Sequence, residues 1–288
     1  MYIHEQQDWP RFSWDYKKLS DLLSEVSFLR GKLPGTIKSL GFSFQQEAIL
    51  QNMTAELVKS SEIEGVLLNM EQVRSAVARR LNLSSHSQVP GSHYIDGIVE
   101  MMVDATHNCR EKLTLERLCG WHAALFPTGK SGLYEITAGK LRDDKNGPMQ
   151  VVSLHSGREV VHYEAPAAEK LPSQVSDFLN WIENDHGCNP LLKSAIAHLW
   201  LVTLHPFEDG NGRIARAVAE MMLSRADNTS YRLYSMSAQI RKDRKEYYHI
   251  LESTQKGNAG YYGMAGMVFY LSEKVNLQCR GTGRQDCS

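Results

Sequence analysis

Cysteine is scarce in this 288-residue chain. Cys109, Cys119, Cys188, Cys279 and Cys287 are five in all, odd in number and far apart. No two have the spacing of a metal clip, so reduced thiols are expected. An excess of one charge is missing too. Lys and Arg number 32 and Asp and Glu 33, a net charge of −1. That balance argues against a basic surface for nucleic acid or anionic lipid. No apolar run is long enough to span a bilayer, and Met1-Tyr2-Ile3-His4-Glu5-Gln6 does not open a signal peptide. The expected location is the cytoplasm, with neither nucleic acid nor membrane as partner. What the chain does have is an apolar share of 42%, enough for a sizeable core in one large or two modest domains.

The most informative stretch is His205-Pro206-Phe207-Glu208-Asp209-Gly210-Asn211-Gly212-Arg213-Ile214-Ala215-Arg216. It lies between an apolar run, Leu191 to Leu204, and a second periodic segment, Ile214 to Leu223, so it reads as a loop between two helices. Pro206 disfavours helical geometry at His205. Gly210 and Gly212 permit backbone angles that other residues resist. A glycine-rich turn entering a helix points free N–H groups, and the positive end of the helix dipole, at one spot. That geometry suits phosphate. Arg213 and Arg216 fall three apart, on one side of the new helix. Singly, each residue has an ordinary explanation as a turn former or a solvated charge. Together in twelve positions they would need several coincidences. The stretch is not a Walker A loop, since no Gly-Lys-Ser/Thr follows, and its glycine spacing is not that of a dinucleotide fingerprint.

The stretch resembles the Fic-family motif, His-Pro-Phe-x-Asp/Glu-Gly-Asn-Gly-Arg-x-x-Arg, at every specified position. The resemblance implies transfer of AMP from ATP to a Ser, Thr or Tyr hydroxyl of a protein. It implies a general base at His205 and a Mg²⁺ ligand at Asp209, with Glu208 at a position the family leaves variable. Phosphate contacts are implied at Gly210, Asn211, Gly212 and Arg213, a γ-phosphate contact at Arg216, and a core anchor at Phe207. The chemistry agrees. A neutral imidazole with an ordinary pKa near ~6.5 can take a hydroxyl proton at neutral pH. Mg²⁺ is content with one carboxylate, phosphate oxygens and water.

Upstream, residues 1–14 carry Tyr2, Trp9, Phe12 and Trp14 and read as an arm packed on a helical body. The Trp9–Asp15 pattern resembles the domain that precedes many Fic cores. Asp15 to Arg30 is helix-like, and Gly31, Pro34 and Gly35 read as a turn. A second long helix, about 44–65, has the apolar stripe Leu50, Met53 and Leu57; Ser60 and Glu64 continue it, and Gly65 is a stop. Glu64 thus continues a face that should be buried, where a carboxylate needs a cation; the alternative is that it sits at the frayed last turn of the helix and reaches water. Ser60-x-x-x-Glu64-Gly65 resembles the inhibitory motif of many Fic proteins. In those, the Glu pairs with the second Arg of the loop, here Arg216, and obstructs productive ATP binding.

Downstream, Asn82 to Ser92 reads as a polar linker, with His86 and His93 beside it read as loop histidines. Thr114 reads as an N-cap for Leu115–Phe126. Val151–Ser153 and Glu159–His162 flank a Ser156-Gly157 turn and read as a hairpin with His155 and His162 on its surface. In Fic proteins such a flap pairs with an extended segment of the target, here expected on residues 146–162. His198 reads as a core histidine. Tyr247, Tyr248 and Gln255 match family positions lining the adenosine pocket. After Asn258 the sequence departs from the family.

The expected fold class is all-α: a Fic-fold helical bundle with one β-hairpin flap, preceded by an N-terminal helical domain. The expected domains are 1–90, 91–275 and a disordered tail, 276–288. The expected activity is Mg-ATP-dependent protein adenylylation, including self-modification, restrained by Glu64 on Arg216. Related folds transfer phosphate or phosphocholine, or remove AMP; removal stays open because Glu64 could orient a water. Gly212 argues against the kinase-like relatives, which carry Lys there. A toxin–antitoxin or signalling scaffold is the non-catalytic alternative, against which intact His205 and Asp209 argue. A homodimer is left open.

Overall fold

A computed structural model describes residues 1–38, 41–83, 89–155, 157–229, 231 and 233–256. The architecture is helical and centres on α7 (Pro190–Leu204), in the chain-order numbering used for all helices. A helix apolar on every side must be buried, and Leu191 to Leu204 all are. Asn189 caps it by accepting from the Leu191 N–H at 2.9 Å, with Pro190 in the first turn. α8 (Asn211–Asp227) packs along α7, and the two carry the loop between them. α4 (His93–His107), α5 (Leu115–Leu125) and α6 (Leu171–Asn184) enclose this pair. Gly97 lets α4 and α5 approach: a Cβ there would lie 1.8 Å from the Ala124 carbonyl oxygen. Thr114 caps α5 as expected, accepting from the Arg117 N–H at 3.1 Å.

α1 (Tyr16–Lys38), α2 (Phe42–Ile63) and α3 (Met70–Arg80) precede this body. α2 packs on α3 and on α9 (Met236–Lys242), which leads into α10 (Arg244–Gln255). One hydrophobic core runs from Leu19 in α1 to Leu251 in α10. The expected turn at Gly31 is absent, because α1 continues to Lys38. A glycine inside a helix costs only about 1 kcal/mol, and Gly31 faces open space. The aromatic arm packs as expected. Trp9 and Phe12 meet Trp200 of α7 at ring-centre distances of 6.0 and 5.4 Å.

Two antiparallel hairpins complete the described residues. β3 (Gln150–His155) and β4 (Arg158–Glu164) form the expected flap, with Val151 opposite Tyr163 and a bulge between Val151 and Val152. A second hairpin corrects the expectation of only one: β1 (Lys130–Ser131) pairs with β2 (Tyr134–Glu135). Strands of two residues are too short for the alternation that marks a strand in sequence. No helix among the described residues is long and apolar enough to cross a membrane. Cys109, Cys119 and Cys188 are free thiols. His86 and the expected 276–288 tail lie outside the described residues.

Candidate active site

α7 stops at His205, whose φ of +47° and ψ of +56° are left-handed. A non-glycine residue holds that conformation only where its surroundings enforce it. Buried Arg142 does so. Its Nε donates to the His205 carbonyl at 2.7 Å, and its backbone N–H donates to the Pro206 carbonyl at 3.0 Å. Asp144 holds the same guanidinium. His205 Nδ1 lies 3.1 Å from the Val202 carbonyl. A carbonyl only accepts, so Nδ1 carries the proton and Nε2 keeps a lone pair. Burial pushes the imidazole below its ordinary value, leaving it neutral at pH 7.

Below the loop, Phe207 is fully buried and stacks on His122 at 4.3 Å. His122 Nδ1 accepts from the Gly139 N–H at 2.8 Å, and burial pushes the ring down to about 4. Asn211 clasps the turn: its Nδ2 donates to the Phe207 carbonyl at 2.8 Å and its Oδ1 accepts from the Phe207 N–H at 3.0 Å. The Asn211 side chain is thus occupied within the loop, and what it can offer a phosphate is its backbone N–H. Gly210 caps α8 at φ +78°, and a Cβ there would meet the Phe126 ring at 2.9 Å. The first-turn amides of Asn211, Gly212 and Arg213 have no carbonyl one turn back to bond.

Glu64 reaches this point from α2. The helix ends in a Schellman turn: Val66 N–H donates to the Ser61 carbonyl at 3.0 Å, Gly65 N–H donates to the Glu62 carbonyl at 3.1 Å, and Gly65 has φ +81°. Glu64 is therefore the cap residue, past the last turn. Of the two placements weighed, the helix end holds and the buried face is corrected: the side chain is 29% exposed and opens on a cleft. Arg216 is the buried partner, at 0%. Glu64 Oε1 lies 2.8 Å from Arg216 Nη1. Ser60 holds the rest of the guanidinium, taking Nε on Oγ at 2.8 Å and Nη2 on its carbonyl at 2.9 Å. Burial works to raise the Glu64 carboxyl, but the Arg216 charge outweighs it and holds the group below its ordinary value. The carboxylate also lies on the first turn of α8. A Cβ built on Gly212 would be 2.1 Å from Glu64 Oε1.

The cleft holds about 740 Å³ between the loop, β3–β4 and α10, within the range of small-molecule sites. Asp209, 44% exposed, sits at its edge and accepts from the Ser131 hydroxyl of β1. Glu208 accepts from the Thr137 N–H at 2.7 Å. Arg213 is buried, donates to the Tyr94 hydroxyl at 2.6 Å, lies 5.1 Å over the Phe126 ring and sits 3.7 Å from Asp209. Tyr247, Tyr248 and Gln255 line the opposite wall. Tyr247 meets Nε2 of His198 at 2.9 Å, and burial pushes that histidine down to about 4. Gln255 donates to the Thr203 hydroxyl at 3.3 Å. His162 is not a free surface residue. It contacts the Ser153 hydroxyl at 2.6 Å and the Glu252 carboxylate at 2.9 Å, tying the flap to α10.

The Fic/DOC family model matches residues 112–223, which span this loop and α5 to α7. Residues 112–223 are a Fic/DOC domain. A second family model, a domain of unknown function (DUF4172), matches residues 2–83 ahead of it. The protein adenylyltransferase Fic of Drosophila virilis is 23% identical over 221 residues, covering 74% of this chain and 39% of that protein. That of Nematostella vectensis is 24% identical over 220 residues, covering 74% and 46%. The chain therefore spans less than half the length of these curated relatives. Among solved structures, a Fic family protein from Desulfovibrio desulfuricans G20 shares the fold: TM-score 0.69, 20% identity, 97% of this chain and 78% of that one.

His205, Asp209, Gly212, Glu64, Tyr247, Tyr248 and Gln255 thus meet at the Fic domain's cleft, with Ser60 and Gly65 behind Glu64. Sequence reasoning gave no role to Arg142, His122, Tyr94 or Ser131. Gly139-Lys140-Leu141-Arg142 carried a signal, an arginine after a glycine turn; the others carried none, since their partners lie 17 to 119 residues away.

Proposed function

We propose that this chain is a protein adenylyltransferase that moves AMP from ATP to a Ser, Thr or Tyr hydroxyl of a protein, itself included. The observation that carries the reading is the 3.1 Å contact of His205 Nδ1 with the Val202 carbonyl, which leaves Nε2 for the cleft above the first-turn amides of α8. The target hydroxyl oxygen attacks the α-phosphorus and Nε2 takes its proton. The bond to the β-phosphate breaks and pyrophosphate leaves. The amides of Asn211, Gly212 and Arg213 face the phosphates, and Tyr247, Tyr248 and Gln255 face the adenosine. Charge neutralisation and positioning are most of what such a transfer needs.

Among the described residues no group of three or more His, Cys, Asp or Glu forms a metal cage. Asp209 suits a cation that takes one carboxylate and fills its other positions with phosphate oxygens and water. Mg²⁺ held there would neutralise phosphate charge.

Glu64 restrains the reaction twice in this reading. It takes the guanidinium that would hold the γ-phosphate, and it covers the helix N-terminus where phosphate would sit. The flap is the target's docking edge. Leu154, 77% exposed, and Val152 present an apolar strand whose described pairing is with β4 alone. The test is incorporation of label from α-labelled ATP by the Glu64→Gly chain, with Glu64→Gly/His205→Ala as control. Transfer by the first and not the second supports the reading. Release of AMP from a modified protein, without incorporation, would instead favour the reverse reaction, and neither would favour the scaffold.

A further inference from the structure

We propose that Tyr248 is the positioning residue for Glu64: its hydroxyl fixes the second carboxylate oxygen and so keeps the first on Arg216. The proposal rests on Glu64 being a restraint. A glutamate past the last turn of a helix and partly open to solvent has many rotamers to choose from. Arg216 fixes only Oε1, at 2.8 Å. Oε2 accepts from the Tyr248 hydroxyl at 3.0 Å. Two points, one on each oxygen, set the plane of the carboxylate over Gly212.

The Tyr248 hydroxyl has a competing acceptor, the Ile63 carbonyl at 3.2 Å. That carbonyl is at the end of α2, where helical partners run out. Arg244 supplies it with one: its Nε donates to Ile63 O at 2.5 Å. A phenol has one proton. With Ile63 served by Arg244, that proton is free for Glu64. The Arg244 guanidinium also lies 5.0 Å over the Tyr248 ring, and Tyr247 packs edge-on at 5.1 Å, so the ring itself is fixed. Burial, helped by the Glu64 charge, raises the phenol well above its ordinary value, which keeps it a donor at any working pH.

Tyr248 also lines the cleft, and a cleft-lining tyrosine whose only task was to hold nucleotide would lower activity when its hydroxyl is removed. The positioning role gives the opposite sign. The experiment measures AMP incorporation by the full chain for wild type, Tyr248→Phe, Glu64→Gly and the double variant. Phenylalanine keeps the ring and its packing, and matched thermal melts verify this. Loss of a hydrogen bond to a partly solvated carboxylate should raise the rate about 3- to 10-fold. In the Glu64→Gly background the same change should give no rise. No rise in the wild-type background, or an equal rise in both, overturns the proposal while leaving the restraint intact. If Glu64→Gly alone fails to raise the rate, the restraint itself is overturned and the Tyr248 role with it.

Discussion

Between His205 and Asn211 part of the fixing is near at hand, Asn211 on Phe207 and His205 on Val202 one turn back, and buried Arg142 holds the His205 and Pro206 carbonyls from the core side. Glu64 is held by Arg216 and Tyr248, which come from far along the chain, from α8 and α10. The loop's geometry is built into its own sequence and the packing under it. The carboxylate over it is held only by ion pairing and hydrogen bonding at a partly exposed helix end. Contacts of the second kind can be broken without disturbing the first. The proposed restraint by Glu64 rests on that difference.

In the Glu64→Gly background, His205→Ala should cut AMP transfer by about 10²–10⁴-fold while ATP binding, followed by calorimetry, stays within a few-fold. Near-normal transfer would remove His205 as the base. Asn211→Ala tests whether the loop is self-held. It strips the buried Phe207 amide and carbonyl of their partners, at about 1–3 kcal/mol, so the melting temperature and the transfer rate should fall together. A lost rate with an unchanged melt would assign Asn211 to the phosphates instead.

Acid should act on the packing under the loop. His122 and His198 are buried and pushed from 6.5 to about 4. The unfolded chain therefore binds more protons than the folded one between those values, and stability falls as pH drops through that window. Each shift corresponds to an upper bound of about 3 kcal/mol. Denaturant midpoints at pH 7 and pH 5 check this, and His122→Gln should flatten the dependence. The transfer rate should fall on an acid limb lying below 6.5, since His205 is lowered as well. An acid limb above 6.5 would contradict the assigned environment.

The flap gives a smaller effect. Leu154→Asp should lower modification of a target protein about 3- to 10-fold with little change in self-modification. Glu208→Gln should do least, because the amide oxygen still accepts from Thr137. A large loss there would show that the wrong carboxylate was given to the metal.

The same contrast decides what was legible in the sequence. The loop could be read because twelve contiguous residues carry both its turn and its chemistry. The α7 core could be read from an unbroken apolar run, and the end of α2 from Gly65. Stripe periodicity carries Glu64 onto the buried face, because it does not show that the helix stops one residue earlier. Tyr94 beside Arg213, and Ser131 beside Asp209, lie 119 and 78 residues from their partners. No local pattern records such pairs. β1 and β2 are too short to alternate, and α1 ran through glycine-rich composition that reads as a turn.

The restraint by Glu64 is measured as the initial rate of AMP incorporation at saturating Mg-ATP for Glu64→Gly beside wild type and Arg216→Ala. The expected result is a rise of about 5–150-fold for Glu64→Gly, none for Arg216→Ala, and a double variant that behaves like Arg216→Ala. An unchanged rate for Glu64→Gly, from a protein that melts like wild type and binds ATP, would contradict it.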